Sequence, residues 1–96
     1  MVNVEVLLEK YKNKEVFPGG EVYLNRPDSL NFIRECEKYH VPIWGIDIVK
    51  ITKQAVVSSL DKTIVYDDQE AVYSCSLHFL ETQMDDEWNY ATIVTG

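Results

Sequence analysis

Two pairs of side chains combine a thiol with an imidazole at helical spacing: Cys36 with His40, four apart, and Cys75 with His78, three apart. Each pair falls on one face of an expected helix, and the four together match the donor set of a tetrahedral Cys2His2 zinc site. They lack the tight Cys-x-x-Cys knuckle usual in such sites, and plainer roles are available. His40 stands where a helix should end, against its last carbonyls, and Cys75 falls on an apolar face as a small hydrophobe. No metal site is expected. A thiol nucleophile needs a neighbouring base in an electropositive, exposed setting. The surroundings of both cysteines are acidic or apolar, and Cys75 beside His78 is the less poor candidate.

The carboxylates Asp67 and Asp68, and the run Asp85, Asp86, Glu87, are hard-cation donors by type but lack the alternation and glycine of a calcium loop. Helix-end acids account for the first group and a solvated loop for the second. Gly19 and Gly20 precede a strand and no lysine follows them, so they form no phosphate cradle. Gly45 lies alone in a strand, where a bulge or close packing against Trp44 explains it. No serine elbow is present. No catalytic residue, no cofactor and no enzymatic activity are expected.

Acid beside aromatic remains. Trp88 and Tyr90 follow Asp85, Asp86 and Glu87, and Tyr66 precedes Asp67 and Asp68. Aromatic area next to carboxylates suits an interface that receives Arg or Lys. Two readings stay open for Trp88 and Tyr90: contact with a partner, or burial in the core from alternate strand positions.

The elements that position these groups follow from periodicity. Val4, Leu7, Leu8 and Tyr11, with Asn3 as cap, predict a helix over about 3–13, ended by Pro18, Gly19 and Gly20. Val22, Tyr23 and Leu24 form a short strand, and Asn25, Arg26, Pro27 and Asp28 its junction with a helix. Leu30, Ile33, Cys36 and Tyr39 give that helix its buried face, and Val41 and Pro42 stop it. Ile43 to Ile51 is the clearest strand, rich in β-branched residues and suited to the middle of a sheet. Gln54 to Val57 fits either a helical turn or a short strand, and Ile64, Val65 and Tyr66 a short extended piece. Asp67, Asp68 and Glu70 then cap and open a helix over about 69–84, with Val72, Cys75, Ser76, Phe79, Leu80 and Gln83 on one face. A strand from Trp88 to Val94 closes the chain. Strands joined through helices usually lie parallel. The expectation is one α+β (α/β-like) domain over 1–96: a small mixed sheet of three to five strands with some antiparallel pairing, flanked by about three helices.

Composition bounds the rest. With 96 residues, 46 % hydrophobic and 11 % aromatic, the chain can bury one modest core without metal or disulfide staples. Two cysteines are too few for a disulfide framework, and buried free thiols are expected. The absence of a membrane-length apolar run and of a signal-peptide pattern points to the cytoplasm. Charge is uneven: residues 1–53 sum to zero, while residues 54–96 set eight acids against Lys62 alone, a net of −7. Such a field repels phosphate and speeds encounter with basic surfaces. The charge pattern therefore implies a basic protein partner, with no nucleic acid and no membrane.

The segment Leu24, Asn25, Arg26, Pro27, Asp28, Ser29, Leu30, Phe32, Ile33, the segment Val41, Pro42, Ile43, Trp44, Gly45, Ile46, Asp47, and the acidic helix ending before Trp88 and Tyr90 together resemble the small cytosolic immunity proteins of bacterial polymorphic toxin and contact-dependent inhibition systems. The resemblance implies a non-enzymatic protein that binds one cognate toxin domain and neutralises it. The toxins are commonly nucleases with basic surfaces. Each immunity protein adapts to its own toxin, so the contacts expected here come from charge alone: Asp67, Asp68, Glu70, Asp85, Asp86 and Glu87 steer, and Trp88 or Tyr90 anchors. The alternative is an acidic mimic of nucleic acid that blocks a DNA- or RNA-binding protein, with its acids in a row spaced like phosphates.

Overall fold

The computed structural model describes residues 23–53 and 55–95. The helix expected over 3–13, the turn at 18–20 and the position of Val22 lie outside them. Within the described residues the order is β1 (Leu24–Asn25), α1 (Arg26–Lys38), β2 (Ile43–Ile51), β3 (Val56–Val65), α2 (Val72–Gln83) and β4 (Tyr90–Thr95). Among the described residues the architecture is α+β, a four-stranded sheet in the order β1-β4-β2-β3 with two helices; about three were expected, and the one expected over 3–13 lies outside these residues.

Both ends of α1 are written locally. The Asn25 side chain accepts from the Asp28 N–H at 2.9 Å, and Pro27 occupies the first turn, where no amide donor is needed. At the other end the Val41 N–H reaches the Cys36 carbonyl at 2.8 Å and the His40 N–H reaches that of Glu37 at 3.3 Å. This double closure, with His40 in the left-handed region at φ 57°, is the Schellman arrangement that usually recruits glycine. It places Val41 against the core at the start of β2.

Every neighbouring pair in the sheet is antiparallel. The strands joined through helices do run parallel, β1 with β2 and β3 with β4, but in each case an antiparallel strand lies between them. Helical connections carry the chain across that strand, so the parallel partners never touch. Within the stretch where short separate pieces were expected, Val56–Val65 forms one long strand: β3 makes a hairpin with β2, its register broken between the Asp47 and Val49 pairings. β2 carries a second irregularity, between Ile43 and Gly45, where Trp44 is the extra residue opposite β4.

One core lies between the helices and the sheet. Ile43, Ile46, Ile48, Leu24 and Ala91 meet Phe32, Ile33 and Cys36 of α1 and Val72 and Leu80 of α2. Each large aliphatic or aromatic side chain so buried contributes about 1.5–3 kcal/mol. The buried hydroxyls are satisfied: Ser29 donates to the Leu24 carbonyl at 3.0 Å and Ser76 pairs with the Tyr66 hydroxyl at 2.9 Å. The face of α2 differs from expectation at one position. Val72, Ser76 and Leu80 are buried, with Tyr73, Leu77 and Phe79 packed beside them, whereas Cys75 is exposed. The opposite sheet face presents Asp47, Val49 and Thr92 to a cavity of about 260 Å³ that Tyr23, Val56 and Ser58 also line.

Candidate partner-binding surface

The first acidic group sits in a turn, not on a helix. α2 begins at Val72, has no acid in its first turn and receives no side-chain cap, because Ala71 precedes it in the left-handed region at φ 53°. Asp68 closes the turn instead: its Oδ1 accepts from the Glu70 N–H at 2.9 Å. Gln69 ties the turn to the sheet. Its Oε1 accepts from the Ile43 N–H at 2.9 Å and its Nε2 donates to the Ile43 carbonyl at 2.7 Å, so one carboxamide acts as a further rung of the ladder. The Tyr66 N–H adds a bond to the Trp44 carbonyl at 3.0 Å. Asp67, Asp68 and Glu70 are left exposed at the end of the sheet where β2 starts and β3 and β4 finish.

The second group occupies the loop between α2 and β4, beside an open depression of about 430 Å³ lined by Asp85, Asp86, Glu87 and Trp88. Asp85 organises this loop. Its Oδ1 accepts from the Trp88 N–H at 2.8 Å and the Glu87 N–H at 2.9 Å, while its own N–H reaches the Trp88 carbonyl at 3.1 Å. Those two backbone donors, Trp88 first, outweigh a small desolvation and with nearby Lys62 hold the Asp85 carboxyl below the ordinary carboxylate value. Two lysines reach the loop from the sheet: Lys62 lies 3.6 Å from Asp85, and Lys50 lies 3.2 Å from Glu87. Lys62 also donates to the Gln83 carbonyl, a cation at the C-terminal end of α2 where the helix dipole favours it.

The expected site residues therefore divide. Asp67, Asp68 and Glu70 gather at one end of the sheet, and Asp85, Asp86, Glu87 and Trp88 at the other. The separation follows from α2, whose 12 residues span about 18 Å. The aromatics divide too. Trp88 precedes β4, and its half-buried side chain packs against the core. Tyr90 opens β4 and pairs with Asn25 and Val49, outside the core cluster on the opposite face.

The thiols and imidazoles do not converge. Cys36 is fully buried on α1, and burial, with the Glu35 charge adding to it, pushes its thiol up to about 12. Cys75 is exposed, as is His78 one turn on. Among the described residues no group of three or more His, Cys, Asp or Glu side chains is placed to hold a metal ion. Fast labelling of Cys75 would follow from its exposure alone. Nor is any helix among the described residues long and apolar enough to cross a membrane.

Gln69, Trp44, Val65 and Val94 do not stand out as site residues in the sequence. Gly45 carries a signal for Trp44, since an isolated strand glycine marks a bulge. No signal marks Gln69, whose two bonds span 26 positions. No protein family, no curated protein and no solved structure matches this chain.

Proposed function

We propose that this chain is a binding protein of the immunity type, which recognises a basic toxin domain, a nuclease in the simplest case, and neutralises it by occupying its surface. One observation carries the reading: Asp67, Asp68 and Glu70 project from a turn braced by Gln69, and no ion pair to any of the three is present among the described residues. Exposed carboxylates on a fixed turn supply steering toward Lys and Arg, in a half-chain whose net charge is −7. The second acidic group lends less, since Lys50 and Lys62 oppose it within the molecule.

Mimicry of a nucleic-acid backbone is the weaker reading. It asks for evenly spaced carboxylates along one line, whereas the acids stand in two groups at opposite ends of α2.

The test is whether an adjacent reading frame encodes a large protein with a C-terminal toxin domain, followed by co-expression with that domain. The immunity reading expects that domain to arrest growth alone, to be tolerated with this chain, and to co-purify with it. Reversal of Asp67, Asp68, Asp85 and Asp86 to lysine should slow association and flatten its dependence on salt. Toxicity undiminished by the wild-type chain would end the proposal.

A further inference from the structure

Three strands bring an apolar row to the surface at the end of the sheet where β2 begins. Gly45 pairs with Val65 of β3 on one side and Val94 of β4 on the other, which puts the three in line on the sheet face away from the helices. Gly45 has no side chain, so Val65 and Val94 stand two strand spacings, about 10 Å, apart across its bare backbone. Val65 is 74 % exposed and Val94 52 %. Trp44, the extra residue beside Gly45, is exposed at 39 %. Single apolar residues on a surface are ordinary, but two exposed valines and an exposed tryptophan at one end of the same sheet have the composition of an interface centre. Gly45 keeps the row flat, since a Cβ there would come within 3.1 Å of the Ile64 carbonyl oxygen.

Acid borders the same row. Val65 leads through Tyr66 directly into Asp67 and Asp68, and the Tyr66 and Gln69 bonds to Trp44 and Ile43 tie that turn to this end of the sheet. An apolar centre beside a charged rim is the usual anatomy of a protein interface.

We infer that the end of the sheet formed by Trp44, Val65 and Val94, with Asp67 and Asp68 at its border, is the docking surface for a protein that presents an apolar patch framed by Lys or Arg. The inference rests on the reading of a basic partner and narrows its contact from two acidic groups to one. Charge selects the occupant. A second copy of this chain would bring two Asp67–Asp68 turns together between molecules that each carry −7, and like charges across an interface oppose association. A basic partner meets the same turn with opposite charge.

Kinetic titration of the adjacently encoded basic domain against variants of the full chain tests this. The combined Val65→Ser and Val94→Ser variant, exposed at both positions and so expected to keep its unfolding midpoint, should dissociate about tenfold faster or more. Trp44→Ala should act in the same direction. Asp67→Asn with Asp68→Asn should slow association and reduce its salt dependence, while Asp86→Asn with Glu87→Gln slows association less and leaves dissociation unchanged. If the valine variant binds like wild type, the docking surface is elsewhere even though a basic partner exists. If wild type fails to bind that domain at any salt concentration, the partner reading falls and the inference with it. A change in the oligomeric state of the chain alone on valine substitution would identify a second copy as the occupant and overturn the assignment.

Discussion

Asp85 shows how one carboxylate can serve the fold with a charge that sequence alone assigns to a partner. Its Oδ1 takes two backbone N–H groups and its Oδ2 faces Lys62, so the loop before β4 is closed around an anion. Because the folded carboxyl holds its proton less tightly than the ordinary value of 3.8, the folded state is favoured by ionisation. The contribution is therefore complete above that value and is lost as the pH falls through the depressed folded one. Asp85→Asn keeps an oxygen acceptor for both N–H groups but removes the charge. Unfolding free energies of the two proteins, measured from pH 7 down to pH 2, should differ near neutrality and converge in acid. A gap that stays constant over that range would show that the charge contributes nothing to the loop.

The elements depend on bonds of very different reach, and that reach decides which of them can be read along the chain. α1 is legible because Asn25, Pro27 and the core positions Ile33 and Cys36 lie within a dozen residues of one another. β2 is legible as a run of β-branched residues. β3 is not, because it is an edge strand exposed along much of its length: Ser58, Ser59, Asp61 and Lys62 interrupt its apolar residues, and the register break removes any steady alternation. The start of α2 is obscured because Asp67, Asp68 and Glu70 imitate a cap, whereas Ala71 in the left-handed region delays the helix to Val72. The site is half legible: charge locates the acids, but only the three-strand register brings Val65, Gly45 and Val94 into line. Gln69 joins these levels, since it satisfies both backbone groups of a buried Ile43. Gln69→Leu strands that N–H and C=O and should cost about 1–3 kcal/mol in urea unfolding. Hydrogen exchange at Ile43 should accelerate selectively, and a variant with wild-type stability and protection would mean that solvent replaces the carboxamide without cost.

Across the whole molecule, the two acidic groups are close enough to repel each other at low ionic strength. α2 alone is about 18 Å long, and the two groups lie beyond its two ends. The Debye length is about 30 Å at 0.01 M salt and about 8 Å at 0.15 M, so salt moves this repulsion from felt to screened. Two attractions change the other way: the Lys50–Glu87 and Lys62–Asp85 pairs weaken with salt, but exposed pairs of this kind contribute little to stability. With 16 acids against nine bases, repulsion outweighs these two attractions. Stability should therefore rise between 10 and 150 mM sodium chloride, the reverse of a protein held by surface ion pairs. Asp67→Asn with Asp68→Asn removes two of the charges that form no ion pair among the described residues, and asparagine at 68 can still accept the Glu70 N–H. The double variant should gain about 0.5 kcal/mol at 10 mM, the scale of a surface charge interaction, and show a shallower rise with salt. Urea unfolding at both concentrations measures this. A wild-type stability that falls with salt would mean that the lysine pairs dominate, and that the acidic turn is held in a less repulsive field than its charge suggests.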